Sequence, residues 1–205
     1  MYYGERFNAI SHLVGAILAV AGTVVLVVIA LFERDPWKIT SFSVYGAMLV
    51  IMYTASTLYH SLHGRAKRIW NKIDHCSIYL LIAGSYTPFA LVSLRGAWGW
   101  SLFGAVWGLA LIGTVQELWL AKGRRILSLL IYIAMGWLAV IAAKPLIEAL
   151  TLGGFLWLAA GGLFYTIGII FYVMDQRLRH AHGIWHIFVL AGSVCHFITV
   201  LCYVA

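Results

Sequence analysis

Apolar blocks recur along this chain, separated by short charged or Gly/Pro-bearing connections, and that pattern constrains the fold more than any other feature. A helix needs about 20 mostly apolar residues to cross a bilayer. Seven blocks meet the requirement, at roughly 9–32, 37–62, 73–94, 97–120, 125–147, 152–173 and 182–204. With 63% hydrophobic and 10% charged residues, little remains for a water-soluble domain. Unsatisfied backbone groups are too costly in hydrocarbon for open structure, so the expected fold is an all-α, seven-transmembrane helical bundle forming a single domain over 1–205. Short connections make successive helices antiparallel neighbours. The first block is longer than a signal core and runs into "LFERDPWK" with no small-residue cleavage pattern, so it is read as retained.

The net charge of +7 is less informative than its distribution. With seven crossings, Arg6, Arg65, Lys67, Arg68, Lys72, Lys122, Arg124, Arg125, Arg177 and Arg179 fall on one side, against Arg34, Lys38, Arg95 and Lys144 on the other. This predicts a multi-pass membrane protein with a cytoplasmic N-terminus and an extracytoplasmic C-terminus. Basic loops then face anionic lipid headgroups, and no nucleic-acid partner is expected. Cys76, Cys195 and Cys202 read as small buried residues without disulfides.

Ionisable groups inside membrane helices are expensive, so each calls for a partner or a task. The first helix opens "ERFNAISHLVG", where Glu5, Asn8 and His12 share one face. The second closes on "STLYHS", with Ser56 and His60 one turn apart, and the third begins "IDHCSIYLL" with Asp74. The seventh begins with His182 and His186, again at i and i+4. All four clusters fall at the cytoplasmic ends of their helices. His63, His75 and His180 read as interfacial residues, and His196, about 20 Å deeper than His182, as a hydrogen-bonded bundle residue.

Two imidazoles at i and i+4 grip an ion from one helix face, and a third from a neighbouring helix makes three nitrogen ligands. His60, His182 and His186 fit that arrangement and leave a fourth position open, the pattern of a catalytic zinc. Asp74 then serves as general base and acid, Ser56 as a donor to a substrate carbonyl, and Glu5, Asn8 and His12 as a supporting layer or gate. Iron or manganese is the alternative if Asp74 binds directly with two of the histidines. Haem remains open on ligand type.

These stretches, with "IDHCSIYLLIAGSYTPF" and "HGIWHIFVLAGSVCHF", resemble the bacterial hemolysin III proteins, the prokaryotic branch of the progestin and adipoQ receptor family. The resemblance runs the length of the chain. It implies seven helices, a cytoplasmic N-terminus and a zinc ion held near the cytoplasmic leaflet by three histidines. Those fall on His60, His182 and His186, with an aspartate on the zinc-bound water at Asp74. It also implies kinship with alkaline ceramidases and a link to membrane-lipid homeostasis. The extra segments of vertebrate receptors have no counterpart here, so no hormone-receptor role is carried over.

The leading expectation is a zinc-dependent hydrolase of a lipid amide or ester. The alternatives are a lipid-binding sensor with a structural zinc and a membrane-permeabilising hemolysin. A pore wants a polar stripe through the full membrane thickness, whereas these polar groups crowd one end. A retinal protein is set aside because the last helix has no Lys.

Overall fold

The computed structural model describes residues 4–121 and 125–205, so Lys122 and Arg124 of the charge count lie outside the described residues. Seven α-helices and no strand occur among them. They are α1 Arg6–Glu33, α2 Pro36–Ser61, α3 Gly64–Pro88, α4 Ala97–Trp119, α5 Ile126–Gly136, α6 Ala143–Val173 and α7 Ala181–Tyr203. Six are long and apolar enough to cross a membrane, while the fifth, even with its 3₁₀ extension to Val140, is shorter.

Local chemistry sets the ends. Asp35 caps α2, its Oδ1 accepting from the main-chain N–H of Trp37 at 2.8 Å and of Lys38 at 3.2 Å, and Pro36 occupies the first turn where a missing N–H costs nothing. Arg34, left-handed at φ 57°, closes α1 directly before that cap, so α1 and α2 form a tight hairpin. α3 starts nine residues before the apolar block at 73–94, because the turns carrying Arg65, Lys67, Arg68 and Lys72 are helical too. Pro88 cannot donate to the helical ladder, and α3 runs on as a π-turn over Phe89–Ser93.

The fifth block departs from expectation. A continuous helix over 125–147 would put Pro145 in its interior, with a lost hydrogen bond and a ring against the Ile141 carbonyl. Instead the helix stops at Gly136, a 3₁₀ turn spans Leu138–Val140, and α6 restarts at Ala143 so that Pro145 lies in a first turn. α6 therefore begins well before residue 152, with a break at Thr151 (φ 61°, ψ 169°).

α1 packs on α2, α2 on α3, α3 on α4 and α6 on α7, and α1 meets α7, bringing the first and last helices together. Apolar side chains such as Ile17, Leu31, Leu111, Ile112, Ile170 and Val173 face outward along the bundle, as a lipid-facing surface requires. Gly183 permits close approach of α1 and α7. A Cβ there would fall 2.0 Å from the Phe7 ring and 2.9 Å from Asn8 Oδ1.

Between α3, α5, α6 and α7 lies a largely apolar cavity. Its α3 face runs Asp74, Ile78, Leu81, Ile82, Ser85 and Phe89, which at 1.5 Å per residue is about 22 Å long. The polar end carries His12, Ser56, Asp74 and His75.

Candidate metal centre

The last turn of α2 and the first turns of α7 bring His60, His182 and His186 together. Their ring centroids stand 4.9 Å apart in each pair, and one nitrogen of each lies within 4.8 Å of the others. His60 and His186 are buried and His182 partly so.

The nitrogen partners orient the trio. His60 Nδ1–H donates to Glu5 Oε2 at 2.6 Å, and His182 Nδ1–H donates to Asp175 Oδ2 at 3.2 Å. His186 Nδ1–H donates to the main-chain oxygen of Asn8 at 3.1 Å, with Ser11 Oγ 3.2 Å away. With Nδ1 carrying the proton, each ring presents an Nε2 lone pair. All three Nε2 atoms are buried with no hydrogen-bond partner among the described residues. A buried polar atom without a partner is destabilising, and three at one point form a cation-binding donor set whose outer nitrogens are held by carboxylates and a carbonyl. The group can hold a metal ion.

The supporting carboxylates are charged. The hydrogen bond from His60 holds the Glu5 carboxyl well below the usual carboxylate range against the opposing effect of burial, and Lys67 and Asn8 add to it. Lys67 Nζ lies 2.9 Å from Glu5 Oε1, and Asn8 Nδ2 donates to Glu5 Oε2 at 3.1 Å. The hydrogen bond from His182 likewise lowers Asp175.

The other sequence-predicted residues take distinct places. Asp74, 4% exposed, is not one of the ion-holding group. Three imidazoles therefore converge, rather than two imidazoles and a carboxylate. Ser56, 1% exposed, lines the same cavity as Asp74. Glu5 and Asn8 touch the histidines by hydrogen bonds, whereas His12 stacks on the His186 ring at 3.5 Å and bonds none of them. Two histidine readings are corrected. His75 is buried, 6% exposed, because Asn71 and Arg125 satisfy both its nitrogens, at 2.7 and 3.1 Å. His196 faces the cavity beside Gly161 and Tyr165, with neither ring nitrogen hydrogen-bonded among the described residues.

Sequence reasoning missed several residues. Asp175 sits in the α6–α7 connection, where the chain gave only a helix boundary. Ser11 carried no signal in the sequence, and Lys67 entered only through the charge distribution. A further network stands beside Asp74. Glu117 is fully buried on α4 and accepts from Arg125 Nε and from Ser128 Oγ, each at 2.7 Å, while Arg125 Nη2 donates to Asn71 Oδ1 at 2.7 Å. The dipeptide Gln116–Glu117 inside an apolar block was the available signal.

The chain matches known proteins along most of its length. The family model described as "Haemolysin-III related" matches residues 2–197. "Hemolysin-3" of Bacillus cereus is 43% identical over 201 residues, covering 98% of this chain and 91% of that protein. "Hemolysin-3 homolog" of Bacillus subtilis (strain 168) is 44% identical over 200 residues, covering 97% and 93%. "Monocyte to macrophage differentiation factor" of Homo sapiens is 25% identical over 202 residues, covering 95% and 82%. A multi-pass membrane bundle with a buried three-histidine group, matched by the family model along almost all of its length, is a member of the haemolysin III family.

Proposed function

We propose that the chain is a zinc-dependent hydrolase of an amide or ester bond in a membrane lipid. It would cross a bacterial plasma membrane seven times, with its N-terminus and metal centre at the cytoplasmic side. One observation carries the reading: three partnerless, buried Nε2 atoms converge where α2 meets α7, and the buried Asp74 lines the polar end of an apolar cavity about one acyl chain long. Nitrogen donors with an aspartate kept off the ion suit zinc better than iron or manganese.

When bound, zinc acidifies water and polarises a carbonyl. The chain's own residues supply the rest. Asp74 takes the proton of the attacking water as the water oxygen bonds to the acyl carbon. It then returns that proton to the leaving nitrogen or oxygen as the acyl C–N or C–O bond breaks, giving a fatty acid and an amine or alcohol. Ser56, which lines the cavity with Asp74, offers its hydroxyl to the substrate carbonyl. Side chains such as Ile78, Leu81, Phe89 and Phe155 hold the acyl chain and exclude water from it.

The test is elemental analysis and turnover on purified protein against ceramides and monoacyl lipids. Wild type should carry about one zinc and release fatty acid, His182→Ala should lose both, and Asp74→Asn should keep zinc and lose turnover. Full zinc occupancy with no release from either lipid class would overturn the reading in favour of a lipid sensor with a structural zinc.

A further inference from the structure

His12 is 2% exposed and lies at the cavity head beside Ser56 and Asp74. Its ring is clamped by neighbours that leave its nitrogens alone. It stacks on His186, centroids 3.5 Å apart and planes 10° from parallel, and stands edge-on to Tyr53 at 5.0 Å and 90°. Tyr53 is fixed in turn, donating to Ser193 Oγ at 2.7 Å. Gly15 makes space for it, since a Cβ there would fall 2.5 Å from the Tyr53 ring. Packing thus sets the imidazole plane, yet neither nitrogen has a hydrogen-bond partner among the described residues.

A neutral imidazole carries one N–H donor and one acceptor. Burying both unused destabilises the fold, so a ring held this firmly for nothing is an unusual arrangement. Both nitrogens of the neighbouring His75 are bonded, and His12 is not among the ion-holding histidines. Below the head the wall is largely apolar, so what fills the cavity is an amphiphile whose polar end stops near His12. An acyl ester or amide brings an oxygen there that only accepts hydrogen bonds, matching the donor His12 holds.

We propose that His12 donates a hydrogen bond to the acyl carbonyl oxygen of the lipid in this cavity. It is then a substrate-binding residue, an assignment that rests on the hydrolase reading above. The carbonyl is positioned for attack by a ring on α1, although the metal ligands come from α2 and α7.

The test compares two single-chain lipids, 1-palmitoylglycerol and its ether counterpart 1-hexadecylglycerol, which differ in the carbonyl. Binding is measured by calorimetry on zinc-loaded protein carrying Asp74→Asn, so that the ester is not consumed. One neutral hydrogen bond corresponds to a roughly five- to tenfold preference for ester over ether. Adding His12→Phe, which keeps the stacked ring, should abolish the preference while zinc content and ether affinity stay unchanged. Adding His12→Gln, which keeps a donor, should retain part of it. If His12→Phe does not fold, His12→Met fills the position without a donor and serves the same comparison. A preference that survives loss of the donor overturns the assignment, as does no preference in the parent protein. Ester preference without hydrolysis by the Asp74-bearing protein would sink the hydrolase reading and leave His12 as the carbonyl contact of a lipid-binding protein.

Discussion

Glu5 and His60 are 55 residues apart in sequence, yet a carboxylate oxygen of one lies 2.6 Å from Nδ1 of the other. The contact joins the start of α1 to the end of α2 and fixes which nitrogen of His60 faces the ion site. Lys67 and Asn8 hold the same carboxylate from two further directions.

Removing that carboxylate should loosen the metal without dismantling the bundle. Glu5→Gln is expected to weaken zinc affinity by about 10- to 100-fold. Competition with a chromophoric chelator measures it, and circular dichroism checks that helicity is retained.

Chelation should soften the fold in a residue-specific way. An ion that binds only the folded state stabilises it by about 2.7 kcal/mol at a hundredfold excess over Kd. Wild-type protein in detergent should show a lower unfolding temperature after chelator treatment. His60→Ala, lacking one donor, should unfold at the same temperature with and without chelator.

The partly exposed Arg125 and the fully buried Glu117 form an ion pair whose loss is asymmetric. Arg125→Met leaves the Glu117 carboxylate buried with only Ser128, and a stranded buried charge costs about 3–5 kcal/mol. The double change Arg125→Met with Glu117→Leu should recover most of that loss. Denaturant unfolding in detergent separates the three proteins.

Helix approach at the site depends on the absence of a side chain at one position. Gly183→Ala drives a methyl group into Phe7 and Asn8, at a typical overpacking cost of about 1–3 kcal/mol. Because the Asn8 main chain receives the His186 N–H, zinc affinity should fall with stability. Gly104→Ala, where nothing lies within 4 Å of the added carbon, is the control expected to leave both unchanged.

Helix existence and the histidine trio were legible because both follow from short-range spacing: apolar blocks of spanning length, and His182 with His186 at one-turn separation. The antiparallel order then carried His60 to the same end. What the chain could not disclose were pairings decided by packing. Arg125 reaches Asn71 across 54 residues, so His75 reads as an interfacial residue until the guanidinium is seen on its ring. Asp175 lies in a connection whose path depends on how α6 and α7 pack. The division near residue 140 was partly readable, since Pro145 forbids an unbroken helix. The hydropathy of the block nevertheless pointed the other way.

The short fifth helix has a consequence for the surrounding bilayer. From Ile126 to Val140 it is about 22 Å long, against roughly 30 Å of hydrocarbon. In the seven-crossing arrangement, the bilayer beside α5 must therefore thin to match it. Acyl-chain length in the host membrane then becomes a mechanical load on one wall of the cavity proposed to hold the substrate.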